Sequence, residues 1–182
     1  MPELHLTTAL EGTEPVFLGD LTLRVVPQKQ LLELRGSAAM LAARYPGLLP
    51  ILPNHSNAHD TWRAIWLRPN GWLLSRPAQG SGADWSELLQ AQQAGLCRIT
   101  EVSHSRVCIA LEGSGAAVLL AKGTSLDLRP GRFAPGRCAR TSCAGFSVLL
   151  DHLESGIDVY VEVSLASAFW EWLNDAALEL SQ

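Results

Sequence analysis

The chain has 182 residues, of which 47% are hydrophobic and 18% charged, which describes a folded globule and excludes a disordered tail. A net charge of −4 argues against nucleic acid as a partner, since binding it needs concentrated positive charge. No apolar run approaches the roughly 20 residues of a membrane span, and the first residues lack a basic stretch followed by an apolar one. A cytoplasmic protein is expected. Cys97, Cys108, Cys138 and Cys143 form no CxxC pair and are too few for a disulfide scaffold, so they read as buried free thiols.

Residues 1–20 read as a polar arm carrying Gly12 and Pro15. Residues 21–26 alternate apolar and polar and predict a strand; residues 29–34 predict a second. Gly36-Ser37 turns the chain, with Ser37 as N-cap of a helix that Pro46-Gly47 stops. Leu49-Pro50-Ile51-Leu52-Pro53-Asn54 reads as an extended connection and residues 55–61 as a loop. Asn70-Gly71 between two apolar runs predicts a hairpin. Residues 77–82, with Gly80-Ser81-Gly82, form a linker. Asp84 and Glu87 then suggest a capping box for a helix ended by Gly95, and residues 97–102 predict a strand.

The same order returns. Residues 106–111 predict a strand, Gly113-Ser114 a turn with Ser114 as N-cap, and a helix follows to Gly123. A Pro-, Gly- and Arg-rich connection leads to strands at 146–153 and 157–163 and to a helix over about 165–180. Leu34-Arg35-Gly36-Ser37 matches Leu111-Glu112-Gly113-Ser114, and AAMLAA matches AAVLLA. The expected fold class is therefore α+β, with two tandem ferredoxin-like (βαββαβ-type) halves sharing one core. Residues 21–102 form the first half and residues 103–182 the second, in one compact domain.

Chemistry is sparse. Gly113-Ser114-Gly115 sits where a dinucleotide fingerprint would, but the third glycine is missing and the copy at Gly36-Ser37 works without the second; it reads as a structural joint. His55 and His59 lack a third metal ligand, and His104 has no triad context. No catalytic, cofactor-binding or metal-ligating residues are assigned. Arg129, Arg132, Arg137 and Arg140 crowd around Phe133 and predict a docking loop for a carboxylate-bearing surface. Trp170, placed on the polar face of the last helix, is a second candidate interface anchor.

Several segments carry a resemblance. They are the Ala64-Ile65-Trp66-Leu67-Arg68-Pro69-Asn70-Gly71-Trp72-Leu73-Leu74 hairpin, residues 120–128 (LAKGTSLDL), residues 133–141 (FAPGRCART), Phe169-Trp170-Glu171-Trp172-Leu173 and Leu49-Pro50-Ile51-Leu52-Pro53-Asn54. Together they resemble the gamma subunit of heterotetrameric sarcosine oxidase. That resemblance implies a fold like the folate-binding domain of aminomethyltransferases. It also implies a non-catalytic role in a complex that oxidatively demethylates sarcosine to glycine, with an alpha subunit as main contact and beta and delta subunits alongside. FAD, FMN, NAD, tetrahydrofolate and zinc would sit on those partners, and no cofactor on this chain. Two departures stand out: Gly71 where an acidic residue is usual, and Glu101-Val102-Ser103-His104 where an aspartate-rich segment is common. Alternatives are a gamma-type subunit of an N-methyl amino acid dehydrogenase and a freestanding folate-binding, aminomethyltransferase-like protein.

Overall fold

The computed structural model describes residues 10–47, 49–59, 61–78 and 86–181. Asp84 of the expected capping box and residues 79–82 of the expected linker lie outside the described residues, while Pro77, expected in the linker, ends a strand. In chain order the elements are β1 (Val16–Leu18), β2 (Leu21–Val25), β3 (Lys29–Gly36), α1 (Ala38–Arg44), β4 (Ser56–His59), β5 (Trp62–Arg68), β6 (Gly71–Pro77), α2 (Ser86–Gln93) and β7 (Cys97–Glu101). Then come β8 (Arg106–Glu112), α3 (Gly115–Ala121), β9 (Cys138–Cys143), β10 (Phe146–Leu153), β11 (Gly156–Glu162) and α4 (Ala166–Leu178), the last flanked by short 3-10 turns.

The strands form two antiparallel sheets, β1-β2-β8-β11-β10-β9 and β4-β5-β6-β3-β7. Reversed, the second reads β7-β3-β6-β5-β4, which matches β2-β8-β11-β10-β9 place for place. The strand after the long helix is β7 in one sheet. In the other, β2 from the N-terminal side fills the place, with Leu23 opposite Leu111. Without it the edge of β8 would stay unpaired.

Period-two alternation sorts the side chains into layers. Leu23, Ile109, Leu150 and Val159 point outward to Leu119, Phe169 and Leu173 of the helices. Leu32, Leu34, Trp72 and Leu74 of the other sheet point to Leu41 and Leu88. Leu31, Ile65, Leu73, Leu149 and Tyr160 fill the space between the sheets. The order is helix, sheet, sheet, helix. Trp72, fully buried, also ties the segment before β4 to the core by donating its indole N–H to the Pro50 carbonyl at 2.9 Å.

Several local expectations need correction. The expected loop at residues 55–61 contains β4, which pairs with β5 through Ala58 and Arg63. Its sequence SNAH carries no apolar alternation because an edge strand can be held by backbone hydrogen bonds alone. β9, unannounced in the Pro-Gly-Arg connection, occupies the equivalent edge, and Ala144 and Gly145 turn it into β10 with φ of 52° and 84°. Within the expected N-terminal arm, Val16–Leu18 pairs with β2. At the Asn70-Gly71 hairpin only Asn70 has positive φ, at 59°. Gly71 serves another purpose: a Cβ there would lie 2.8 Å from Cγ of Arg68.

Candidate functional site

The two Gly-Ser joints are occupied from within. Neither Ser37 nor Ser114 caps with its own hydroxyl. The Ala38 N–H donates to Oδ1 of Asn70 at 3.0 Å, and the Ser114 N–H to Oδ2 of Asp20 at 3.0 Å. Hydrogen bonds from the Ser114 hydroxyl and N–H hold the Asp20 carboxyl below its ordinary range. A Cβ at Gly36 would meet the Leu96 carbonyl oxygen at 2.7 Å, and one at Gly113 the Asp20 carbonyl oxygen at 1.8 Å. Each glycine admits the residue just before its neighbouring strand, β7 or β2. Backbone and carboxylate already fill the place where a phosphate would sit.

The arginine loop is tightly built. Arg129 grips Asp127 with Nε on Oδ1 at 2.8 Å and Nη2 on Oδ2 at 2.7 Å. Those bonds, with the Arg129 N–H, hold the Asp127 carboxyl down to about 2. The N–H groups of Arg132 and Arg137 donate to the carbonyls of Arg129 and Ala134, closing two turns. Arg129, Arg132 and Arg140 are exposed. Arg137 turns inward, with Nη1 3.2 Å from Nε2 of His55 and a buried, unpartnered Nε.

Phe133 is not a surface anchor. It is buried and stacks on His152 with centroids 5.5 Å apart, and His152 Nδ1 donates to its carbonyl at 2.6 Å. Trp170 corrects the expected helix face. The buried stripe of α4 is Ala166, Phe169, Trp170, Leu173, Ala176 and Ala177, and Trp170 is only 9% exposed. Small alanines on that stripe leave room for the indole, while Leu165 and Leu180, at the two ends of the expected helix, are exposed. The six expected interface residues therefore divide into three exposed cations, one half-buried cation and two core aromatics.

Sequence reasoning missed the polar groups between the sheets. Asp151 of β10 is fully buried, and Arg63 of β5 binds it through Nε and through Nη2 at 2.8 Å. The Ser56 hydroxyl donates to the same carboxylate at 2.5 Å, and Arg63 Nη2 reaches the His152 carbonyl at 3.1 Å. A cleft of about 370 Å³ opens beside them, lined by Ser56, Asn57, Arg63, Pro135, His152 and Glu154. The second cluster joins Lys29 of β3 to Asp158 at 2.5 Å and to the Tyr160 hydroxyl at 3.2 Å; Tyr160 donates to Ser75 at 3.1 Å. Burial alone would lower the Lys29 pKa, but the acidic groups Cys108, Tyr160 and Asp158 around it raise it overall. The available signal was charged residues inside otherwise apolar strands.

These clusters saturate one another. Each charged member is spent on a partner within the chain, which suits a structural joint. Burial pushes the Cys138 thiol up to about 12 and the Cys143 thiol to about 11, so both stay protonated and unreactive, and all four cysteines are free. His104 hydrogen-bonds Gln28 on the surface. Among the described residues no group of three or more His, Cys, Asp or Glu could hold a metal, and no helix is long and apolar enough to cross a membrane.

The family model of the sarcosine oxidase, gamma subunit family, matches residues 44–179. Sarcosine oxidase subunit gamma of Corynebacterium sp. (strain U-96) is 30% identical over 187 residues, covering 99% of this chain and 90% of that one. In three dimensions the chain is similar to heterotetrameric sarcosine oxidase from Corynebacterium sp. U-96 in complex with pyrrole 2-carboxylate, with a TM-score of 0.78 and 29% identity over 96% of this chain and 92% of that one. It also shares its fold with glycine cleavage system aminomethyltransferase T from Bartonella henselae, with a TM-score of 0.62 and 18% identity, over 85% of this chain and 45% of that one. By its sequence over nearly its whole length, and by its fold, this chain belongs to the sarcosine oxidase gamma subunit family.

Proposed function

We propose that the chain is the gamma subunit of a heterotetrameric sarcosine oxidase-type complex, which oxidatively demethylates sarcosine to glycine. The observation that carries this is the likeness to a sarcosine oxidase subunit gamma across 99% of the chain. The chain's own part is assembly: its buried charges are spent on internal joints, and it offers a rigid surface to the alpha subunit, with beta and delta subunits completing the complex. FAD, FMN, NAD, tetrahydrofolate and zinc belong to the partners in this reading. Four free thiols suit the reducing cytoplasm.

The architecture is two tandem ferredoxin-like halves, the second completed by β2. Support comes from the shared strand order of the two sheets and from the matched glycine joints at Gly36 and Gly113. The docking loop carries Arg129 and Arg132 outward, while Phe133 and Trp170 brace it and α4 from inside, and Arg137 pins it to His55; Arg140 lies beyond the loop, on β9.

Co-expression with the alpha, beta and delta subunits of the same organism tests the reading. A stable complex with sarcosine oxidase activity and a colourless isolated gamma chain are expected; failure to co-purify would overturn it. Arg129→Glu with Arg132→Glu is expected to weaken co-purification at least tenfold without changing the circular dichroism spectrum. Unchanged co-purification would remove the loop from the interface.

A further inference from the structure

A second set of arginines lies on the strands. Arg98 of β7 pairs with Arg35 of β3, Arg35 with Gly71 of β6, and Gly71 with Arg68 of β5. One row thus crosses four strands on the face that looks toward the other sheet. Gly71 is the gap in it, and the Arg68 side chain lies across that gap to reach Glu33. Arg35 binds the same Glu33 oxygen through Nε and Nη2, both at 3.1 Å. From the facing sheet come Arg106, opposite Glu162, and Arg140, opposite the inward-facing Leu149.

Five guanidiniums therefore surround two carboxylates. Arg35 and Arg68 already share Glu33. Among the described residues no carboxylate lies within ion-pair distance of Arg98, Arg106 or Arg140. Like charges directly opposite across strands, as at Arg35 and Arg98, are destabilising. Half-buried Arg106 sits in the crowd: burial and then the Arg140 charge lower its pKa, and Arg68 adds to this, against the opposing pull of Glu33 and Glu162. In a chain of net charge −4 this is a concentrated imbalance. The row spans three strand spacings, roughly 14 Å. That is too long for one small anion and suits an extended chain with several carboxylates.

We propose that this arginine-lined mouth between the sheets docks an extended acidic segment of a partner subunit, whose carboxylates supply the counterions that Arg98, Arg106 and Arg140 lack. The proposal rests on the gamma-subunit reading for the identity of the partner. Guanidiniums make bidentate contacts to carboxylates and steer association through their field.

Two measurements on the full chain test it. In the first, Arg35→Ala/Arg98→Ala/Arg140→Ala is co-expressed with the other subunits beside wild type and Arg44→Ala, whose arginine is exposed on α1. The triple variant is expected to associate at least tenfold more slowly at about 50 mM salt, with a flatter salt dependence; the lysine triple variant is expected to recover most of the rate. In the second, a decapeptide of alternating Glu and Ser is titrated against the isolated chain. It is expected to bind wild type at least tenfold tighter than the alanine triple variant, with inorganic phosphate at equal charge failing to compete. Equal peptide binding by the two proteins, or full competition by phosphate, overturns the acidic-segment proposal. If wild type itself fails to assemble, the gamma-subunit reading falls while the peptide titration still decides the surface.

Discussion

Two sets of charges occupy the space between the sheets, and they differ in balance. Arg63 with Asp151, and Lys29 with Asp158, are cation–anion pairs whose remaining valences go to Ser56, the His152 carbonyl, Tyr160 and Ser75. The row from Arg98 to Arg68, with Arg106 and Arg140, has more cations than the described residues place anions beside them. A balanced buried pair locks two sheets in register and has nothing left for a ligand. An unbalanced, partly exposed one keeps its binding capacity. The comparison separates what holds this protein together from what it offers to others.

The largest effect is expected from unbalancing the Arg63 pair. Arg63→Met would leave Asp151 buried and unpaired, costing about 3–5 kcal/mol in denaturant unfolding. Adding Asp151→Leu is expected to restore most of that loss, since the stranded charge goes with it. A double variant as unstable as the single one would mean that the pair itself carries the fold.

Lys29→Met is expected to cost less, about 2–3 kcal/mol, because the Asp158 carboxylate is nearer solvent than that of Asp151. The sign of its pH dependence follows from the raised folded pKa. The contribution is complete below the ordinary lysine value of about 10.4 and is lost as pH rises toward the folded value. The stability difference between wild type and Lys29→Met, measured from pH 7 to 11, should therefore stay level to about pH 10 and then shrink. A difference that grew above pH 10 would contradict the assignment.

The smallest stability effect belongs to the unbalanced set. Arg35→Ala/Arg98→Ala is expected to change unfolding free energy by less than about 0.5 kcal/mol, since relief of their repulsion offsets the loss of the Arg35–Glu33 contact. Loss of several kcal/mol would move these arginines into the class of Arg63.

Much of the fold was legible in the chain. The strands at β2, β3, β5, β6, β8, β10 and β11 announce themselves by apolar alternation, and α1 and α3 by the repeated Gly-Ser joint. The interface was less so. Trp170 misled because helical periodicity alone does not say which of two overlapping stripes faces the sheet; alanines at 166, 176 and 177 decide it. Phe133 misled because a loop crowded with arginines looks exposed until His152 is found beneath it.

What the sequence determined by itself is local and repetitive: which segments extend or coil, where the joints fall, that the Gly-Ser joint recurs, and which family the motifs resemble. Tertiary structure alone decided that β2 joins the six-stranded sheet, that β4 and β9 each form an edge of a different sheet, and which arginines are spent. Those outcomes depend on pairs such as Arg63–Asp151, 88 residues apart, and on cross-strand neighbours such as Arg35 and Arg98. Periodicity reports only a residue's own face, whereas charge balance is a property of what the fold brings opposite it.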